Sequence, residues 1–523
     1  MNWRNFLCSP AQRTRARGWH LGGKLPFTGK CFLTNEAKPF KVGIIGAGPS
    51  ALYCCKHLLK HERVKVDIFE KLPNPYGLIR YGVAPDHIHV KNTYRTFDLV
   101  FSSPNYRFFG NVHVGVDLKM EELRRHYNCV IFCCGASEVS IPIGQQDEDK
   151  AVSGGETNPR KQNGLFHARD LIYFYNNMYN DVRCRAVENY LKSFENFTTC
   201  IIIGNGNVSL DIARILVKSP NHLSKTDISS DYLKVMKQHK IKHIYIVGRR
   251  GFWQSSFTNA ELRELISLEN TKVILSKKNY DLCCHLKSDE ANTNMKKRQH
   301  EIFQKMVKNY EEVEKNKEFY KTYKIIEFIF YFEIRQIRPI DGAMKNVELE
   351  LNRNVPMSFS SFKENKVLVT PLVIFATGFK KSNFAENLYN QSVQMFREDI
   401  GQHKFAIFKA GWFDKGPKGN IASQILNSKN STHLVLNFLQ KVDSFFDNDI
   451  SSLLQEKQIP YVSFDDWTYL HQMEKQMGAQ QNKIAQKFSQ TGEVLRVLKG
   501  RMGKSRKVKP ADQPRLCLLV PAI

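Results

Sequence analysis

Two glycine-rich turns carry the spacing best suited to chemistry in this chain, Gly46-Ala-Gly-Pro-Ser-Ala51 and Gly204-Asn-Gly-Asn-Val-Ser209. In each, the first glycine permits a tight turn and the second lets the backbone approach a pyrophosphate. A small third residue keeps the succeeding helix close to the sheet. A helix that starts there points free N–H groups and its positive dipole end at phosphate oxygens. The two turns differ in the strand that comes next. After the first, the strand Lys65-Val-Asp-Ile-Phe69 ends in Glu70, placed to accept hydrogen bonds from a ribose diol. After the second, Ile241-Lys-His-Ile-Tyr-Ile-Val247 ends in Gly248-Arg249-Arg250. Guanidinium groups fork onto a phosphate that a carboxylate would repel, so this second site selects NADPH over NADH.

The elements that position these turns can be read around them. Val42–Ile45 is a short apolar strand before the first turn, and Leu52 to Leu59 reads as an amphipathic helix after it. Cys200–Ile203 and Leu210–Val217 play the same parts in the second unit. The strand ending at Arg249 comes later than the ordinary spacing of about 20 residues, so Lys218 to Lys240 is an insertion. A further apolar strand, Pro371–Ala376, runs into Thr377-Gly378. By type it joins the first unit, as an Ala-Thr-Gly turn brings backbone N–H groups to a flavin dinucleotide. Its counterpart is Val130–Cys134, with Gly135-Ala136 after it. The expectation is an α/β chain of two Rossmann-like nucleotide-binding domains, the NADPH domain inserted into a discontinuous FAD domain. Two nucleotide sites of different type in one chain imply a redox relay.

At 523 residues the chain exceeds one compact domain. No window approaches 18 consecutive apolar residues, the length a membrane-spanning helix requires. The formal charge of +26 calls for a partner of opposite sign. Nucleic-acid signatures are absent, which leaves an acidic protein or, peripherally, a membrane surface. Twelve cysteines include no C-x-x-C, so the dithiol chemistry of disulfide reductases is excluded, and no metal-ligand spacing is present. Residues 1–40 hold no acid before Glu36 but several arginines, the composition of an organelle transit peptide, mitochondrial or plastid. Residues 501–523 form a basic tail.

Longer motifs resemble one family. Pro75-Tyr-Gly-Leu-Ile-Arg-Tyr-Gly-Val-Ala-Pro-Asp-His87, Val247-Gly-Arg-Arg-Gly251, Phe257-Thr-Asn-Ala-Glu-Leu-Arg-Glu264 and Gly411-Trp-Phe-Asp-Lys-Gly-Pro-Lys-Gly419 are similar to the adrenodoxin reductase family of mitochondrial-type ferredoxin–NADP reductases. The resemblance runs in order from Lys41 to Leu498. It implies a glutathione-reductase-like flavoprotein, with FAD-binding residues in 41–138 and 371–500 and NADPH-binding residues in 139–370. A lysine-rich insertion is expected at about 280–331.

The resemblance also implies roles. FAD would meet Gly46, Gly48, Ser50, Glu70, Leu78, Val114, Trp412, Gly419, Asn420 and Ile421. NADPH would meet Asn205, Gly206, Asn207, Val208, Arg249, Arg250, Glu261 and again Gly419. His87 with Asp211 would form a proton path, and Lys296, Lys297 and Arg298 would dock an acidic [2Fe–2S] ferredoxin. A monomer in the mitochondrial matrix completes the expectation. Hydride from NADPH would reach FAD, and single electrons would leave for iron–sulfur assembly or a hydroxylase. The competing readings are an NADPH-dependent flavin monooxygenase and a non-catalytic nucleotide-binding protein with a basic surface.

Overall fold

Short, almost wholly apolar strands separated by helices must pair in parallel with both faces covered, and the computed structural model has two such sheets. It describes residues 38–139, 164–178, 182–193, 198–287, 289–340, 344–356, 358–359, 365–402, 404–419, 421–442 and 448–505. The transit-peptide-like leader up to residue 37, Asn420 and the basic tail from residue 506 lie outside the described residues.

The first sheet holds β1 (Phe40–Ile45), β2 (Val64–Glu70), β3 (Tyr106–Gly110) and β4 (Cys129–Phe132), with a late strand, Ala406–Lys409, on the far side of β4. All its pairings are parallel, in the order late strand, β4, β1, β2, β3. Val42, Ile44, Val66 and Ile68 are fully buried at its centre. The helix Pro49–Leu58 crosses one face and packs on the helix Ser423–Leu439, where the Ser428 hydroxyl donates to the Ser50 carbonyl at 3.1 Å.

The second sheet contains β5 (Leu165–His167), β6 (Thr199–Ile203), β7 (His243–Gly248), β8 (Thr271–Leu275) and β9 (Lys324–Phe330). A three-stranded antiparallel sheet comes next, made of β10 (Phe332–Pro339), β11 (Lys345–Leu351) and β12 (Lys366–Thr370). The chain then re-enters the second sheet as β13 (Leu372–Phe375), giving the parallel order β5-β13-β6-β7-β9-β8.

This corrects the assignment of Pro371–Ala376 to the first unit. Leu372 pairs with Cys200 and Phe375 with Ile203, and the Ala376 amide donates to the Ile203 carbonyl at 2.8 Å. The strand is buried along its whole length between β5 and β6, which is why it is apolar on both faces. Strand type alone does not say which sheet a buried strand enters. The strand that does return to the first sheet, Ala406–Lys409 (β14), pairs with β4 but is only four residues long and mostly not buried. The crossing back therefore lies near Lys380, where Glu138 and Lys380 exchange backbone hydrogen bonds of 3.1 and 2.7 Å. The expected lysine-rich insertion is shortened as well. Its last residues form β9, a core strand, and the helix Asn294–Lys315 fills half of the rest. Residues 218–240, expected as an insertion, fold into the short helices Pro220–Leu223 and Ser230–Gln238.

Buried ion pairs tie the two units together. Asp227, from the second, receives Lys91 at 2.7 Å and Lys487 at 2.8 Å. Within the first unit, Arg80 reaches Glu474 on the helix Phe464–Ala479 at 2.5 Å. Such pairs contribute little over an apolar replacement but cost several kcal/mol when one partner is removed, so the two Asp227 contacts hold the units in one relative position.

Candidate active site

Ligands of parallel sheets bind at the carboxyl ends of the strands, and there the first sheet opens into a cavity of about 480 Å³. Gly46, Gly48, Ser50, Glu70, Leu78, Val114, Trp412 and Ile421 all line it, so the structure brings together eight residues that the sequence marked separately. Gly419 is not among the lining residues. Gly46 has φ of +100°, and a Cβ there would stand 2.6 Å from the Cys133 carbonyl oxygen. Gly48 has the opposite surroundings: no atom lies within 4 Å of where its Cβ would stand, so a ligand can reach the backbone. Glu70 is buried at the end of β2 and accepts from the amides of Ala47 at 2.8 Å and Leu72 at 3.0 Å. Burial pushes its carboxyl up against the pull of these two amides. Each oxygen keeps a lone pair for a ribose hydroxyl. The open Gly48, the helix N-terminus and the buried acid together fit an extended dinucleotide.

The other end of this cavity is built from the chain's last third. Ser50 donates to Gln424 Oε1 at 3.3 Å, and the Trp412 indole donates to the Lys418 carbonyl at 3.0 Å. Gly411, at φ of +67°, leaves the space that the Ser50 side chain fills.

The second glycine turn is cross-linked to the strand beside it. The Asn205 amide donates to the Arg250 carbonyl at 2.8 Å, and Asn207 Oδ1 accepts from the Thr258 amide at 2.9 Å. Gly206 and Val208 flank these at the start of the helix Asn207–Val217. Arg249 and Arg250 are exposed at the end of β7, and neither forms an ion pair with a described residue. The arrangement presents two uncommitted guanidinium groups beside a helix N-terminus, as a phosphorylated ribose requires.

Between the two turns lies a cluster of charges. His87 Nε2 meets Glu264 Oε2 at 2.7 Å, Glu261 stands at 3.7 Å, and Asp211 Oδ1 lies 3.8 Å from His87 Nδ1. The expected His87–Asp211 pair is thus present as an ion pair too long for a hydrogen bond, and Glu264 makes the short contact to the histidine. Arg214, fully buried one helical turn on, also takes Asp211 at 2.8 Å, so this carboxylate is shared between the guanidinium and the imidazole. Arg214 also holds Asp86 through contacts of 2.8 and 3.1 Å and approaches Glu261 at 3.3 Å. Burial and the Arg214 charge push the His87 imidazole down, but Glu264, Asp211 and Glu261 push it up by more, and the net shift is upward. Burial pushes the Asp211 and Glu261 carboxyls up, while the hydrogen bond to His87 brings Glu264 down against its own burial. Glu261, expected at NADPH, is thus also part of this cluster. Asp86, Arg214 and Glu264 were missed in the sequence. Their signals were the Asp86-His87 dipeptide and the three-residue spacings Asp211/Arg214 and Glu261/Glu264, each of which places two charges on one helix face.

The basic triplet does not act as a unit. Lys296 is 4% exposed, and its ammonium donates to the Ser255 carbonyl at 2.8 Å and to Gln299 Oε1 at 2.9 Å. It faces the core side of the helix Asn294–Lys315 and cannot meet a partner. Lys297 and Arg298 are exposed.

Residues 44–109 match the family of NAD(P)-binding Rossmann-like domains. Among curated relatives, the chain is similar to the mitochondrial NADPH:adrenodoxin oxidoreductase of Bos taurus, 30% identical over 493 residues that cover 90% of this chain and 94% of the relative. It is similar to the probable NADPH:adrenodoxin oxidoreductase, mitochondrial, of Schizosaccharomyces pombe, 27% identical over 90% of this chain and 98% of the relative. Among solved structures it resembles Mycobacterium tuberculosis FprA in complex with NADPH, with a TM-score of 0.67 and 25% identity over 88% of this chain and 99% of that one.

Proposed function

From the chain's membership of the NADPH:adrenodoxin oxidoreductase family, we propose that it is a mitochondrial flavoenzyme that oxidises NADPH through FAD and reduces a ferredoxin. The observation that carries this reading is the presence of two glycine turns at strand ends in one chain, one beside Glu70 and the other beside Arg249 and Arg250. Bound FAD accepts a two-electron hydride and releases electrons one at a time. The chain's own work is positioning and electrostatics.

Gly46, Gly48, Ser50, Glu70, Leu78, Val114, Trp412 and Ile421 would hold FAD, and Gly419, which does not line the cavity, is left out of this set. Asn205 to Val208 would receive the NADPH pyrophosphate, and Arg249 and Arg250 its 2′-phosphate. His87 with Glu264 would hold the exchangeable proton, with Asp211 acting on the imidazole by charge from 3.8 Å. We further propose that the ferredoxin is acidic, because a chain of +26 attracts and steers an anionic partner. The protein is read as a monomer of the matrix, with at most peripheral membrane contact. The relatives named above are mitochondrial, and nothing supports the plastid alternative.

Reduction of cytochrome c by NADPH tests the function. It is expected to depend on an added [2Fe–2S] ferredoxin. A full rate without ferredoxin, or NADPH consumption coupled to oxygen on a small substrate, would overturn the reading. The partner surface has its own test. Lys297→Glu with Arg298→Glu is expected to raise the ferredoxin KM several-fold and to leave NADPH-to-dye reduction unchanged. Lys296→Glu is expected to lower the melting temperature instead, since it buries a carboxylate against the Ser255 carbonyl.

A further inference from the structure

An aromatic pair at one end of the FAD cavity is left unused by the residues assigned so far. His113 lies beyond β3 in a turn held at both ends. Its amide donates to Asp117 Oδ2 at 2.6 Å, and its carbonyl accepts from the amides of Val116 at 3.0 Å and Asp117 at 2.8 Å. Phe384 stands in the first turn of the helix Asn383–Met395, whose start is fixed by the Asn383 amide donating to Glu138 at 2.8 Å. The two rings lie 5.0 Å apart at 52°, and both line the cavity. Gly115, at φ of +93°, seats the phenyl ring: a Cβ there would come within 2.8 Å of it. Yet Phe384 is 44% exposed, a large apolar ring with one face open.

The sheet order says what that face meets. The pyrophosphate turn lies at the end of β1, the ribose acid at the end of β2, and the His113 turn beyond the end of β3. A dinucleotide laid across these in sequence runs from phosphate to ribose to base, so its adenine arrives at His113 and Phe384. We propose that His113 and Phe384 form an aromatic wall on which the adenine of FAD stacks, a proposal that rests on the assignment of FAD to this cavity. Purines stack on aromatic faces in offset or tilted geometry, and such stacking covers apolar surface otherwise open to water. Burial and the neighbouring Lys71 ammonium hold the His113 imidazole below its usual value, so it meets the base as a neutral ring.

The test measures binding of FAD, and of FMN, which lacks the adenosine half, to the full-length protein after cofactor removal, by quenching of flavin fluorescence. Phe384→Ala and His113→Ala are each expected to weaken FAD about tenfold and to leave FMN unchanged. Phe384→Trp and His113→Phe, which keep a flat ring, are expected to retain FAD. Unchanged FAD affinity in the alanine variants, or equal weakening of FAD and FMN, would overturn the wall. A wild-type chain that binds no FAD would instead refute the cofactor assignment itself.

Discussion

Replacing Arg249 and Arg250 together by alanine is expected to raise the KM for NADPH by about two to three orders of magnitude and to change that for NADH less than about threefold. The size comes from the contacts at stake. A hydrogen bond to a charged group is worth about 1.5–3 kcal/mol, and about 1.4 kcal/mol is a factor of ten. Both guanidinium groups are exposed and free of ion pairs with described residues, so the unliganded protein stores no compensating interaction to lose. The selectivity of kcat/KM between the two nucleotides, measured with a dye acceptor, checks this. Lysine at both positions should restore only part of the preference, because an ammonium lacks the planar fork that fits two phosphate oxygens. Equal loss for NADH and NADPH would show that the pair supports the strand end and does not read the phosphate.

Arg214→Met is expected to destabilise the protein by about 3–5 kcal/mol, the cost of stranding a buried countercharge. Arg214 is fully buried and is the cation that Asp86, Asp211, Glu261 and Glu264 share. Among the described residues, Lys218, 3.0 Å from Asp86, and His87 would remain to oppose four carboxylates. The pH dependence gives a second readout. In the wild type, Arg214 and Lys218 hold the Asp86 carboxyl well below its ordinary value of 3.8, against the opposing effect of burial. That stabilisation is fully present above the unfolded value and is lost as pH falls through the folded one. In the variant, burial acts with less opposition and favours the protonated acid. The melting-temperature deficit of Arg214→Met should therefore shrink as pH is lowered from 7 toward 5. A deficit that is the same at every pH would mean that the loss is packing around the guanidinium stem. The raised His87 runs the opposite way to Asp86: its contribution is full below the ordinary imidazole value and fades as pH rises through the folded one.

The parts of the site that were legible in the sequence are those where backbone geometry dictates residue type. Gly46 and Gly204 are glycines because carbonyl oxygens occupy the space of a side chain, and Gly48 leaves its own open for the proposed ligand, a demand that shows in any sequence that makes the turn. Glu70 and Arg249 were legible because each sits at the end of a periodic apolar run. Sheet membership was not. Leu372–Phe375 is apolar because it is covered on both faces, which is true of a central strand in either sheet, and only long-range pairing decides between them. The His87 cluster failed for a related reason. His87 and Glu264 stand 177 residues apart in the chain, and the residue that sets the pairing around them, Arg214, reads as an ordinary helical arginine until its burial is known. Lys296 shows the reverse error: three adjacent basic residues on a helix cannot all face one way, since neighbours are turned about 100° from each other.

The ladder between Glu138 and Lys380 has a further consequence. The chain leaves the outer unit and comes back to it at that one pair of backbone hydrogen bonds. The inner unit's two ends are therefore adjacent, the condition under which a domain can be removed or exchanged while its host needs only a short splice. On the proposed reading, in which Arg249 and Arg250 select the nucleotide, that choice is carried on an interchangeable cassette. The cavity assigned above to FAD is lined chiefly by the host, with Arg169, Tyr173 and Met178 as the inner unit's share of its wall. A change of reductant could be grafted in at two joints, provided those three wall residues and the Lys91–Asp227–Lys487 contact are carried across with it.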